Sequence, residues 1–545
     1  MDGLDSLMSA ALTPPMPPAT ASEIERDLAQ LHEGAKRWVA LPTTAKIALL
    51  AQVRDATYAQ ASRWAQAGAR AKGIDRTPLA GEEWVSGPWA LIYALNRYIH
   101  TLTDIARTGT PQISASRVHE RADGQITVDV FPNTLYDQLL LTGVRAQVWM
   151  QPGVTRETLA STTAVWYKQA APQPRVALVL GAGNIASIAP LDVLYKLVAD
   201  GAVCILKMNP VNDYLGPIFE DALRPLVEGG YLRFAYGGAE VGKLLTHHPL
   251  VDEIHITGSD RTFDAIVADG VRKPMSAELG NVSPTIVVPG PWSEKDFRFQ
   301  AEQIVTQKLH NDGFNCVASQ VVVLPRDWDG TPKLLAQIEA VMRDATKRPA
   351  YYPGADARMQ QLGGSDRAIL RLDAAGNAAA FETEAFAPLL AVTSLPGDTP
   401  TFLCAAVSFA NDRLWGTLGA NVVVHPTTMR EHASAVDAAI AGLRYGCVAV
   451  NAWTGVGFLL TETTWGAYPG NSVENVGSGL GVVHNSYLFD RAQKSVVWAP
   501  FAPLIKPPWF VTNRNAGRIG EALVEFEVRP APLTMMKVAL QALRG

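Results

Sequence analysis

Hydrophobic positions along the chain change period twice. From residue 23 to 70, Ala and Leu recur at helical spacing, and Thr44 is placed to cap a helix through Leu50 toward Ala59. Between 125 and 150 the pattern becomes β-rich. Gln125–Phe131 and Arg145–Met150 predict an antiparallel flap outside the main sheet. From 175 onward, short apolar runs alternate with helical stretches. Arg175–Leu180 reads as a strand covered on both faces, followed by a helix ending near Gly201. Strand Val203–Met208, a helix from about Tyr214, strand Leu232–Tyr236, a helix near Glu240–Thr246 and strand Glu253–Thr257 follow. Such alternation predicts βαβ units and a parallel, doubly wound sheet, an α/β fold class. A second alternating region starts with helix Glu294–His310. It continues through strand Gln320–Leu324, helix Pro332–Ala345 and strands at Leu389–Ser394, Ala420–Val424 and Cys447–Asn451. Gly470–Gly481 reads as a mobile loop over a pocket. Beyond Pro503, Pro507 and Pro508, further helices are expected.

Length and composition narrow the function. At 545 residues, 48% hydrophobic and 18% charged, the chain is globular and too long for one core. A net charge of −5 offers no basic excess for a nucleic-acid partner. Apolar stretches such as Val176–Leu191 are too short or too broken to span a bilayer, so no membrane association is expected. The first twenty residues, without Lys or Arg, read as a loose tail rather than a secretory signal. Four scattered cysteines argue against a disulfide scaffold and for a reducing cytoplasm.

Several motifs carry candidate chemistry, each with a plainer alternative. Gly181-Ala-Gly-Asn-Ile-Ala186 follows a strand and matches a loose dinucleotide fingerprint, but strand two ends Lys207-Met-Asn-Pro210 without the acidic ribose ligand. A tight turn is the alternative. Gly237–Lys243 resembles a phosphate loop, yet Leu244 stands where Ser or Thr would bind Mg²⁺, so turn glycines are the better reading. The ten histidines show no metal-binding spacing, and no metal is expected. Cys316 lies between a helix and a strand, where a thiol could face a cleft; on composition alone a buried, inert cysteine is the stronger reading. Glu278, beside Leu279-Gly280, could be held in a cleft as a base, or simply be exposed.

The order of these signals resembles the aldehyde dehydrogenase superfamily, over roughly residues 25–500. His248-Pro249-x-Val-Asp-x-Ile-x-Ile-Thr257-Gly258-Ser259 is similar to the family's phosphate-binding segment. Glu278-Leu-Gly-Asn281-x-Ser-Pro284 is similar to its general-base motif. Asn311-x-Gly313-x-x-Cys316 is similar to its nucleophile motif, and Glu384-Ala-Phe386-Ala-Pro388 to its nicotinamide-ribose motif. The resemblance implies that Cys316 is the nucleophile, Glu278 the base, Asn184 an oxyanion donor and Lys207 a ribose contact. The pyrophosphate then belongs near Gly258 and Ser259, and Gly181 matches its fingerprint largely by coincidence. Departures are Phe314 for the family's usual Gln, Gly183 for a Trp, and Pro210 for an acidic residue. The last leaves both NAD and NADP open as cofactor. Beyond Gly455 the family's closing motif is not recognisable.

The implied architecture is two doubly wound α/β domains, cofactor-binding and catalytic, with a small antiparallel β oligomerisation flap. Residues 1–22 form a tail, 23–124 and 151–290 the NAD(P)-binding domain, 125–150 and 485–502 the flap, and 291–484 the catalytic domain. Residues 503–545 form an extension without an assigned role. The implied activity is NAD(P)-dependent oxidation of an aldehyde to an acid by a homodimer or tetramer. Trp453, Phe458, Trp465 and Tyr468 suit a hydrophobic or aromatic aldehyde, or pack the core. A CoA-acylating dehydrogenase and a non-catalytic cofactor-binding scaffold are the alternatives; retention of Glu278 favours hydrolysis.

Overall fold

The computed structural model describes residues 15–545; residues 1–14 of the expected tail lie outside the described residues. Helices Ala21–Ala40 and Thr43–Ala71 fill the first helical stretch, interrupted at Leu41–Pro42, where proline has no N–H to continue the ladder. Thr44, expected as a cap, lies inside the second helix, which starts at Pro42 without a side-chain cap. Among the described residues, no helix is long and apolar enough to cross a membrane.

Two sheets organise the rest. In the smaller, Val176–Leu180 is central, with Val203–Lys207 and Leu232–Ala235 on one side and Glu253–Thr257 and Met275–Glu278 on the other, all parallel. The chain builds outward in one direction, then returns to the other side of Val176–Leu180. The crevice beyond the carboxyl ends of Val176–Leu180 and Glu253–Thr257 is therefore a topological switch point. Strands Val176–Leu180 and Val203–Lys207 are buried almost throughout, which is why they read as apolar runs.

The larger sheet has ten strands. Ile369–Arg371, Leu390–Leu395, Ser319–Pro325, Ser283–Val287, Gly419–Val423, Cys447–Val450 and Ala492–Trp498 run parallel in that spatial order. The flap strands Arg145–Met150, Ile126–Phe131 and Val118–Glu120 then continue it antiparallel. The flap is thus not outside the main sheet. Arg145–Met150 pairs with Ala492–Trp498 of the same chain, Gln147 opposite Val496. Pairing closes the edge of Ala492–Trp498 and buries Val128, Val130, Ala146 and Val148.

Two further placements differ from expectation. Ser283–Val287 belongs to the larger sheet, so the chain changes sheets between Glu278 and Ser283 rather than at 290. Gly470–Gly481 is pinned rather than draped over a pocket. Val476 is buried against Phe263 and Leu279, and Gly479–Leu480 pairs with Ala277–Glu278. Gly479 has φ +140, and a Cβ there would stand 2.1 Å from the Ala277 carbonyl oxygen, so the close approach requires glycine.

Gly446 sits where the large sheet meets the turn at Gly466. Its carbonyl accepts from Ser495 N–H at 2.8 Å, while a Cβ would meet Gly466 O at 1.9 Å. Gly446→Ala is expected to cost about 2 kcal/mol or more, read as a lower midpoint in urea at unchanged slope.

Candidate active site

Leu180 is followed by the Gly181–Ser187 loop, and the next helix, Ile188–Val198, begins only afterward. The loop does not present a helix N-terminus directly after its glycines, unlike a dinucleotide fingerprint. It bends toward the other domain instead. Thr257 is followed by Gly258 and by Ser259, which caps helix Asp260–Ala268 by accepting from Thr262 N–H at 3.2 Å. Between them opens a cleft of about 820 Å³.

Cys316 is delivered to this cleft by a strained turn. Helix Glu294–Leu309 ends, and Asn311, Asp312 and Gly313 take φ values of 52, 57 and 76. Asn and Asp tolerate the left-handed region better than most residues. Gly313 is needed for room, since a Cβ would lie 2.5 Å from the Ala387 carbonyl oxygen. The thiol is half-buried at the turn's exit, just before strand Ser319–Pro325.

A buried polar network holds this turn against the Asn184 loop. Lys72 Nζ donates to Glu83 Oε1 at 2.7 Å, Asn311 Oδ1 at 3.0 Å and the Asn184 carbonyl at 3.2 Å. Tyr351 Oη donates to the same carbonyl at 2.9 Å, and Asn184 Nδ2 donates to the Phe314 carbonyl at 2.9 Å. Arg348 grips Glu82 with two 2.7 Å bonds, and Glu82 Oε2 accepts from Asn311 N–H at 3.1 Å. Burial alone would raise the Glu82 carboxyl, but Arg348 and His310 outweigh it and hold it at about 2.

The electrostatics at the thiol are opposite in sign. Burial pushes the Cys316 thiol well above its ordinary value, and the Glu384 and Glu278 carboxylates push it further. Glu278 is likewise raised well above the carboxylate range, first by burial and then by Asp192; the Trp465 indole is the neighbour that favours its charged form. Its Oε1 is buried without a hydrogen-bond partner. Asp192, His255 and Glu278 bring ligand-capable atoms within 4.8 Å of one another. Both His255 ring nitrogens already lie near hydroxyls, Ser276 at 2.9 Å and Thr257 at 3.2 Å, while Thr257 donates to Asp192 at 2.9 Å. This buried acid–imidazole cluster behind Glu278 was not foreseen. The signal was His255 between Ile254 and Ile256 in a fully buried strand.

All eight residues singled out from the sequence line the one cleft: Asn184, Lys207, Gly258, Ser259, Glu278, Cys316, Glu384 and Phe386. Glu384 is raised to about 7, mainly by burial, and accepts from Asn281 N–H at 3.3 Å. Phe386 is held by Arg358, which donates to its carbonyl at 2.9 Å. Phe314, in place of the family's Gln, is buried among Tyr351, Tyr352 and Phe386. Sequence reasoning dismissed Gly237–Lys243 as turn glycines, yet Gly238, Gly242 and Lys243 wall the cleft. A Cβ at Gly238 or Gly242 would meet no atom within 4 Å, so there is open space over the backbone at those two positions. Arg261 was also missed. Of the four aromatic residues expected near the substrate, Trp453, Phe458 and Trp465 line a second cavity on the far side of Cys316; Tyr468 does not.

Comparisons with known proteins point to one family over part of the chain. Residues 176–369 match the model of the aldehyde dehydrogenase family. That stretch, a little over a third of the chain, is what the chain shares with the family in sequence. A probable aldehyde dehydrogenase of Streptomyces coelicolor is 26% identical over 56% of this chain and 51% of its own. An aldehyde dehydrogenase of Didymella fabae is 29% identical over 24% of this chain and 26% of its own. The matched stretch thus spans at most about half of either curated relative. Two solved structures share the fold. An NADP-dependent enzyme of Escherichia coli gives a TM-score of 0.62 at 18% identity, covering 88% of this chain and 91% of its own. An NAD-dependent aldehyde dehydrogenase of Sinorhizobium meliloti gives 0.61 at 16%, covering 90% of each.

Because Glu82 is held below its ordinary value of 4.5, its contribution to stability is present above that value and lost as pH falls toward about 2. Arg348→Leu leaves a buried carboxylate unpaired and is expected to cost about 3–5 kcal/mol near pH 7. The gap from the unsubstituted protein should narrow below pH 4.5 in denaturant titrations; a gap constant with pH would rule out Glu82 as the group concerned.

Proposed function

We propose that the protein oxidises an aldehyde to a carboxylic acid with NAD or NADP, through a thiohemiacetal and then a thioester on Cys316. The observation that carries this reading is that Cys316, Glu278 and Asn184 border one cleft with the residues expected to hold a dinucleotide. A cleft of about 820 Å³ is of ligand size. Its glycine wall lets a ligand approach backbone, and Ser259 opens a helix whose N-terminus suits a diphosphate. Lys207 and Glu384 would hold ribose hydroxyls, and Phe386 would border the nicotinamide ring. The two solved relatives are named for different cofactors, and the NAD or NADP choice is proposed as either.

The Cys316 thiolate adds to the aldehyde carbonyl, forming an S–C bond. The resulting oxyanion is met by the second Asn184 amide hydrogen and the Cys316 backbone N–H. One such donor is worth about 3–4 kcal/mol. A bound nicotinamide cofactor supplies the acceptor for the hydride lost from that carbon. Glu278 then takes a proton from water as its oxygen bonds to the thioester carbon and the S–C bond breaks, releasing acid and thiol. The homodimer or tetramer stays part of the proposal; Val118–Glu120 leaves a sheet edge available for extension.

Cys316→Ser is expected to eliminate NAD(P)H production with every aldehyde, and undiminished turnover would reject the assignment. Glu278→Gln should slow acid formation while the thioester still forms, seen as a burst of NAD(P)H without steady turnover. Adding CoA to the unsubstituted enzyme should not accelerate acyl release; acceleration with acyl-CoA as product would favour the acylating alternative. Because both the thiol and the carboxyl are raised, their deprotonated forms grow with pH. Initial rates should therefore climb between pH 7 and pH 9 rather than level off near neutrality.

A further inference from the structure

The thiol stands between two spaces. One is the dinucleotide cleft. The other is a cavity of about 50 Å³ that also touches Cys316 and Asn184. At the thiol end it has polar neighbours; farther out its walls are Val85, Phe458, Leu459, Trp465 and Trp509, and no Lys, Arg, Asp or Glu lines it. His310, the one imidazole there, is pushed below its ordinary value by burial.

Trp509 comes from the C-terminal extension, residues 503–545. It is fixed from both sides onto the helix that delivers Cys316. Lys506 Nζ lies 2.9 Å from Glu302 Oε2, and Thr512 Oγ1 donates to the same oxygen at 2.7 Å. Val511 N–H donates to Thr306 Oγ1 at 3.2 Å, and the Phe510 ring lies 5.3 Å from Phe299. Helix Ala516–Val528 is then seated where glycine makes room for it. A Cβ at Gly81 would stand 2.4 Å from Ala516, and a Cβ at Gly520 2.5 Å from Trp84, next to the wall residue Val85.

We infer that the C-terminal extension closes the substrate pocket through Trp509 and selects short, uncharged, apolar aldehydes. This rests on the aldehyde-oxidising reading and adds its substrate class. A space of about 50 Å³ holds roughly three to five water-sized groups, the bulk of a propanal or butanal chain. A charged substituent would lose its hydration against aromatic and aliphatic walls with no counter-charge. Longer chains would have to displace the Trp509 ring.

The test is a panel of propanal, butanal, hexanal, benzaldehyde, betaine aldehyde and glyceraldehyde 3-phosphate, assayed with the full-length enzyme and saturating NAD or NADP. For the unsubstituted enzyme, kcat/KM should be highest for propanal or butanal. In Trp509→Ala, the hexanal-to-propanal ratio of kcat/KM should rise at least about tenfold, mostly through KM, with Trp509→Phe intermediate. The phenylalanine variant keeps the test alive if the alanine variant fails to fold. A ratio unchanged in whichever variants fold, or a preference for either charged aldehyde, would overturn the inference while leaving aldehyde oxidation standing. No turnover of any aldehyde would overturn both.

Discussion

The site depends on one buried cation placed where three segments converge. Lys72 ends the Thr43–Ala71 helix, and its ammonium joins Glu83, the Asn184 carbonyl and the Asn311 side chain. These partners come from the N-terminal helices, the small-sheet loop and the turn after the long helix of the large sheet. A buried ammonium must be fully paired, so none of the three segments can move away without leaving a charge uncompensated. The Arg348–Glu82 pair repeats the constraint one layer out, through the Asn311 backbone N–H. Thiol and amide are therefore positioned by ion pairs that touch neither of them.

That clamp also explains how a strained turn survives. Consecutive left-handed residues at Asn311, Asp312 and Gly313 cost conformational energy that surrounding contacts must offset. Asn311 alone accepts from Lys72 and Tyr351 and donates to the Asn184 and Phe314 carbonyls. The side chain that tolerates the backbone shape is the one that welds the two domains. The short Asn-x-Gly spacing before Cys316 thus records a mechanical requirement.

The interior parallel strands were legible because both faces are covered, which leaves an apolar run at Val176–Leu180, residues 203–206 and Cys447–Val450. Ser283–Val287 was not, because Pro284 argues against a central strand. The sheet accommodates it through an irregular register between Ser319 and Val321. The flap's attachment was hidden for another reason. Arg145–Met150 finds its partner more than three hundred residues later, and hydrophobic alternation says nothing about which edge a strand joins. At the site, each short motif was ambiguous alone and became readable in order. Gly238, Gly242 and Arg261 carry their meaning only through the shape of the cleft, and Trp509 only through a cavity that distant segments enclose.

In the proposed reaction, burial around Cys316 and Glu278 would work against ionising either group. Desolvation raises both Cys316 and Glu278, so the protein alone favours a neutral thiol beside a neutral carboxyl. A thiolate formed there has little solvent to shed before attacking a carbonyl, and a carboxylate formed there has few competing donors, since Glu278 Oε1 has no hydrogen-bond partner. Asp192, placed behind Glu278 with His255 and Thr257, adds a second carboxyl to the same dry pocket, and after burial it is the next cause of the raised Glu278 value. Asp192 makes Glu278 hold its proton more firmly, so in the proposed reaction the strength of the base would depend partly on a group outside the cleft lining.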